Sequence, residues 1–213
     1  MVNCIYLCVE TIKMDEKIRE YIVNAFPIQW VEYSEELRDA SELIWNESKN
    51  TWVHNNFPIR QNKPGLSRTY FLNIGFSLEN LIKGLLISEN PDYLKNGKIS
   101  PEISSGHNLE NLISKITTLN FDEKEMDFLK ILSKAIPNWS RYPIPKRWET
   151  ENNEKIVSED IRKQFLEMWN KIGFKIYELT KDGWNGPNGV KLDIWRSSYF
   201  EGTLNFEIPN SKK

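Results

Sequence analysis

The sequence predicts an all-α fold: a bundle of about five or six principal helices with a small hairpin-like β appendage at its C-terminal end. Three observations carry that expectation. The apolar residues Phe71, Ile74, Leu78, Leu81 and Leu85 step by three, four, three and four, a helix seam held for two full heptads. Segments behind Asn108, Asp122 and Ser158 show helical spacing after residues suited to cap a helix. Alternation of the strand kind is confined to the two ends of the chain, at Ile5, Leu7 and Val9 and again at Val190, Leu192 and Ile194.

Residues 1–33 read as an N-terminal extension, helical over about 15–25, where Ile18, Tyr21 and Ile22 recur at helical spacing. Ser34 offers an N-cap to the acidic turn Glu35 and Glu36, and Leu37, Ala40 and Ile44 form an apolar stripe on a helix reaching about Lys49. Asn50 to Gly65, with Pro58, Pro64 and several Asn, reads as a connector. The seam from Phe71 follows. Leu72, Phe76, Glu79, Lys83 and Leu86 make a second row of that helix, and Asn73, Ser77, Asn80 and Gly84 a third, small and polar one. A helix apolar on two sides and small on another belongs in the middle of a bundle. It ends near Pro91.

Asn108 caps a segment of about twelve residues with Leu109, Leu112, Ile113 and Ile116 inward. Asp122 and Glu125 are spaced as a capping box ahead of Met126, Leu129, Leu132 and Ile136, a stripe that Pro137 stops. Trp139 to Trp148 contains Pro143 and Pro145 and is expected to be extended. Ser158, followed by Glu159 and Asp160, opens a last helix with Ile161, Phe165, Met168, Ile172 and Ile176 inside, running to about Leu179. The bundle therefore spans 34–180. In 181–213, the turn-rich Asp182 to Gly189 leads to alternating segments around Val190 and around Leu204, Phe206 and Ile208. Such a hairpin must lie against the helical body, since two strands alone are marginal in water.

Composition excludes several function classes. The 213 residues carry 28 Lys and Arg against 30 Asp and Glu, a net charge of -2. So balanced a charge argues against a surface given over entirely to nucleic acid or anionic lipid and leaves room only for a local basic patch. Cys4 and Cys8 are too few for a disulfide scaffold or a thiolate metal site and read as reduced, packed thiols. The apolar run Cys4 to Val9 has no preceding Lys or Arg and is too short for a signal peptide. The stretch Leu81 to Ile87 is interrupted by Lys83 and falls well short of the roughly 18–20 residues of a membrane span. A soluble, cytoplasmic protein is expected. With two His and no acidic cluster around either, neither a metal nor another cofactor is expected. Ser104 and Ser105 lie near His107 without a nucleophile elbow, and Gly75 and Gly84 fall inside a helix rather than in a phosphate-binding loop.

The polar residues that remain are the candidates for chemistry. Glu79 and Lys83 are spaced i,i+4 with the acid first, the order that pairs best on a helix. They interrupt an apolar row, so partial burial is expected, and buried charges persist only if paired and hydrogen-bonded. They form either a structural pair or a functional polar centre, with Arg141 as a third partner if Lys83 reaches solvent. His107 stands at a helix entrance, where the macrodipole disfavours its charged form and favours a neutral, hydrogen-bonding role. Arg141, Lys146 and Arg147 interleave with Trp139, Tyr142 and Trp148. That pattern serves single-stranded nucleic acid, or an aromatic strap laid on the bundle with its charges solvated.

In order and spacing, Tyr70 to Leu86, then Gly106 to Leu112, then Arg141, Tyr142 and Pro143 resemble the HEPN superfamily of helical-bundle domains over roughly residues 34–180. The resemblance implies that the helix with the Glu-x-x-x-Lys pattern, Glu79 and Lys83, packs centrally, that His107 and Leu109 open a later helix, and that the chain forms homodimers. Active members are metal-independent endoribonucleases in which an Arg precedes a His by a few residues at the dimer cleft. That pattern is missing here: the nearest Arg residues upstream of His54 and His107 are Arg38 and Arg68.

The expectation is a non-catalytic HEPN-like binding or assembly module, with Glu79, Lys83, His107, Arg141 and Tyr142 around its binding cleft and a homodimer, an RNA or a partner protein as its contacts. The alternative is an RNA-cleaving toxin or defence effector, with His107 as base and Arg141 and Lys83 clamping the phosphate. A third reading is antitoxin-like inhibition of a partner protein.

Overall fold

The helix around Phe71 is the axis on which the rest is laid. In the computed structural model, which describes residues 15–48, 52–54, 62–64, 66–142 and 154–192, it runs as α3 between α1 (Glu16–Asn24), α2 (Pro27–Ser48) and the short ladder of β1 (Trp52–His54) with β2 (Asn62–Pro64) on one side of the sequence. On the other come α4 (Pro101–Ser104), α5 (Leu109–Ile113), α6 (Glu123–Lys134) and α7 (Glu159–Thr180), and a second two-stranded ladder of β3 (Trp184–Asn185) with β4 (Lys191–Leu192). The described residues form a predominantly helical bundle.

Helix α3 spans Ser67–Glu89 and buries Tyr70, Phe71, Ile74, Leu78, Leu81, Ile82, Leu85 and Ile87 completely. The seam predicted from spacing is therefore inside, and so are residues on most other sides of the helix. Its small row faces α2. Ser34 meets Ser77 and Trp30 meets Gly84, so the two helices run antiparallel, and a Cβ added at Gly84 would stand 2.9 Å from Trp30 Cβ. The serines exchange bonds across the contact: Ser34 Oγ donates to the Ser77 carbonyl at 2.9 Å, and Ser77 Oγ to the Ser34 carbonyl at 2.7 Å. Trp169 of α7 completes the set by donating its Nε1–H to Ser34 Oγ at 2.8 Å. Small side chains bring the backbones close, and the hydroxyls they carry are all satisfied, so the close approach leaves no orphan polar group.

This packing corrects the expectation for α2. Ser34 lies mid-helix and fully buried, not at an N-cap, because the helix starts seven residues earlier with Pro27, whose missing N–H suits the first turn. The boundary placed after residue 33 thus falls inside α2, and Ile22, Phe26, Ile28 and Val31 join the core. The buried face of α2 is Val31, Ser34, Ser41, Trp45 and Ser48, whereas Leu37, Ala40 and Ile44 sit on a half-exposed flank. Serine is polar, so spacing alone marks the flank of Leu37, Ala40 and Ile44 as the apolar one, although the serine-bearing face is the buried one.

Three further boundaries differ. The connector 50–65 contains the antiparallel pairing of β1 with β2. Asn108 caps as expected, accepting from Asn111 N, but α5 lasts only five residues before the chain turns at Ser114. The capping box of Asp122 and Glu125 is present. Pro137 does not end the helical path, which continues as a π-helical turn over Ala135–Trp139. Proline removes one donor and the wider turn accommodates it: Ala135 O accepts from Ser140 N at 3.2 Å and from Ser140 Oγ at 2.7 Å. The turn lets Ile136 pack onto Gly75 and Trp139 onto the Phe71 ring, whose centroid lies 4.9 Å away. Ser158 caps α7 as predicted. A C-terminal ladder forms around the turn at Pro187–Gly189, with Trp184 opposite Leu192, and it lies on the body through the T-shaped contact of the Trp184 and Phe26 rings, 5.3 Å apart. Cys4, Cys8, Lys146, Arg147, Trp148 and the alternating residues around Leu204 lie outside the described residues.

The α2–α3 contact yields a direct test. Ser77→Leu forces bulk into a contact set by hydroxyls and is expected to destabilise the chain by about 2–3 kcal/mol. Ser34→Ala, which strands Trp169 Nε1, is expected to cost about 1–2 kcal/mol. Both are read from urea unfolding curves.

Candidate functional site

Helical spacing puts Glu79 and Lys83 one turn apart on α3, and the structure joins them: Lys83 Nζ donates to Glu79 Oε1 at 2.7 Å. The second carboxylate oxygen, Oε2, lies 2.8 Å from His107 Nδ1. Glu79 is 4% exposed, so its charge is carried into the bundle and both its oxygens are met by donors. An ionised carboxylate only accepts, so the proton in the bond to His107 sits on Nδ1. The imidazole is thereby oriented with Nε2 on its far side.

The chain around His107 is built to hold it there. Gly106, at φ +82°, makes the left-handed turn that L side chains resist and leads into the cap at Asn108. Leu109 N donates to Ser133 Oγ at 2.9 Å, tying the start of α5 to α6, while Ser133 Oγ itself donates to Leu129 O. The imidazole also meets the Phe76 ring edge-on at 5.6 Å, and its side chain remains 34% exposed. The Glu79 carboxylate thus joins α3 to the turn before α5, and Ser133 of α6 anchors that turn from the other side.

Of the sequence-predicted site residues, Glu79, Lys83 and His107 are brought together; Arg141 and Tyr142 are not. Arg141 is exposed and lies over the ring of Tyr142 at 5.7 Å, and Tyr142 is itself exposed. Both follow the π turn, which packs at the level of Phe71, two turns of α3 or about 12 Å from Glu79. Among the described residues no ion pair links Arg141 to the Glu79 centre. Ser105 Oγ donates to Pro101 O at 2.6 Å, so it serves its own short helix. No group of three or more His, Cys, Asp and Glu among the described residues is placed to hold a metal ion. Among them, too, no helix is long and apolar enough to cross a membrane.

Pattern reading passed over a second feature. At the junction of α1, α2 and α3 a mainly apolar cleft of about 290 Å³ is lined by residues that include Tyr21, Trp30, Tyr33, Gln29, Asn80 and Ile99. The indole of Trp30 is fixed by its Nε1–H donating to Ala25 O at 3.1 Å. A signal was there to be read: Trp30, Tyr33, Leu37, Ala40 and Ile44 step by three and four, which carries the helix back past Ser34. Beside the cleft, Glu32 accepts from Gln29 Nε2 at 3.0 Å. Burial, then repulsion from Glu35 and Glu36, holds the Glu32 carboxyl above the ordinary range against that hydrogen bond. Glu35 is raised mainly by burial, although Arg38 pairs with it at 2.8 Å.

Compared with protein-family models, with curated proteins and with solved structures, the chain matches none.

Two outcomes are expected from these charges. Glu79→Gln leaves the half-buried Lys83 without its anion and is expected to destabilise the fold by about 2–4 kcal/mol, part of which Lys83→Met should restore in the double variant. Unfolding of the four proteins of that cycle measures the coupling, and unchanged stability in Glu79→Gln would remove the structural role. For Glu32, the folded state binds the proton more tightly than the unfolded one, so its contribution is most favourable below the ordinary carboxylate pKa and is lost as pH rises through the raised value. Glu32→Gln should therefore raise Tm slightly at pH 7 and have no such advantage near pH 3, which calorimetry at both pH values would show.

Proposed function

We propose that the chain is a non-catalytic helical binding and assembly module of HEPN-like architecture, acting as a homodimer. The observation that supports it is the commitment of Glu79: one oxygen is held by Lys83 and the other by His107, so the polar groups that would have to act are spent on fastening α3 to the turn before α5. The order of a central Glu-x-x-x-Lys helix and a later His-led helix supports the architecture. Pairing is supported by the outer surface of α2. There Leu43 is 70% exposed beside the half-buried Leu37, Ala40 and Ile44, an apolar strip that suits a second helix more than water.

A second reading rests on a separate observation. A carboxylate that holds Nδ1 of a half-exposed histidine is the arrangement that leaves Nε2 able to take a proton, so His107 could serve as the base in RNA cleavage. Among the described residues such cleavage lacks a free cation at the site to steady the phosphate, because Lys83 is bound to Glu79 and Arg141 forms no ion pair with that centre.

Light scattering on the purified chain is expected to give a dimer mass, and Leu43→Glu a monomer mass with unchanged helicity. A wild-type monomer would overturn the pairing. Incubation with mixed tRNA in EDTA is expected to leave the RNA intact; cleavage that disappears in His107→Ala would establish the second reading instead.

A further inference from the structure

We propose that the cleft between α1, α2 and Asn80 binds an organic ammonium cation, of the methylated kind carried by choline or by a trimethylated lysine side chain. The cleft is separate from the Glu79 centre and does not depend on the role given to that centre.

Three features of the lining select the charge and shape of the guest. Tyr21, Trp30 and Tyr33 bring three aromatic rings to one small cavity, and ring faces carry the negative side of the aromatic quadrupole. Among the described residues no Lys, Arg or His lines the cleft, so none of them offers an anion a counter-charge there. Its amides have each spent a donor elsewhere, Gln29 on Glu32 Oε2 and Asn80 on Phe76 O at 2.7 Å, so acceptance is the capacity their oxygens still hold among the described residues.

The rim supplies the counter-charge. Glu32 adjoins the cleft through Gln29, and its own hydrogen-bond partner is an amide rather than a cation. Arg38, the cation nearest along α2, is taken by Glu35 and Asp39 and lies over the Trp169 ring at 4.2 Å, on the α7 side of the helix. Glu32 is partly buried and lies near the like charges of Glu35 and Glu36, so a cation at the cleft would offset both its desolvation and that repulsion. A weakly hydrated ammonium suits such a place better than a metal ion, since rings and amides replace its water shell with little loss. The indole is already fixed by Ala25 O, so the ring does not have to be ordered on binding.

The probes are choline, a short peptide with one trimethyllysine, the same peptide unmethylated, and 3,3-dimethyl-1-butanol, the uncharged carbon analogue of choline. Binding to the full chain is followed by NMR shifts of the tryptophan indole N–H groups and by calorimetry. Choline or the trimethyllysine peptide is expected to bind saturably, with the uncharged analogue at least about tenfold weaker. Whichever of the two binds more tightly identifies the source of the ammonium. Tyr33→Leu, at a half-exposed ring, is expected to weaken binding about threefold to tenfold. Glu32→Gln is expected to weaken it by a similar factor while Tm does not fall, which separates lost binding from lost folding. Equal binding of the uncharged analogue would overturn the proposal, as would a failure of both cations to bind the folded protein.

Discussion

A helix enclosed on nearly every side leaves its polar side chains dependent on whatever packs against it, and on α3 Ser77 and Glu79 are met in this way while the buried Tyr70 hydroxyl has no hydrogen-bond partner among the described residues. Its apolar residues account for much of the core, yet they do not fix which neighbour lies where, because apolar contacts are tolerant of rotation and shift. The polar exceptions do. Ser77 can be buried only where another group takes its hydroxyl, and Ser34 does so while offering its own to the Ser77 carbonyl. Glu79 can be buried only beside donors, and it draws Lys83 from its own helix and His107 from the turn before α5. Each exception therefore specifies one partner element and one register along it.

The two sets of contacts divide the work. The serines, with Trp169, set the spacing of α2, α3 and α7, where the backbones come closest. The Glu79 centre sets the opposite side, where α5 is too short to be stable by itself and depends on its cap, on Ser133 and on His107 for its position. Longer-range ion pairs reinforce this arrangement from outside: Arg162 reaches Glu42 at 2.6 Å between α7 and α2, and Lys171 reaches Glu125 at 2.7 Å between α7 and α6. The carboxylate of Glu89 at the end of α3 accepts from Thr117 N and Thr118 N and so ties down the turn after α5. Such partly exposed pairs contribute little singly and define geometry more than stability.

The same logic separates the two candidate sites. At Glu79 each carboxylate oxygen already has a partner within the fold, which suits a joint. At the cleft by Trp30 the rings are in place, the amide oxygens are uncommitted among the described residues and the nearby carboxylates repel one another, which suits a receptor. Burial without complete electrostatic compensation is a cost to the folded state, and sites that carry it are where ligands act.

By itself the sequence determined the long helix, its central place, the caps at Asn108, Asp122 and Ser158 and the pairing of Glu79 with Lys83, because all of these are set by spacing within a few residues along one chain. Tertiary structure decided the rest. Which face of α2 is inside depended on serines that turn apolar in effect only once another serine answers them. The path through Pro137 depended on what Ile136 and Trp139 had to reach. His107 joined Glu79 from 28 residues away while Arg141 did not, and the cleft gathered Tyr21, Trp30 and Asn80 from three helices. Contacts between distant segments are written in no local period, since they exist only after the chain has closed upon itself.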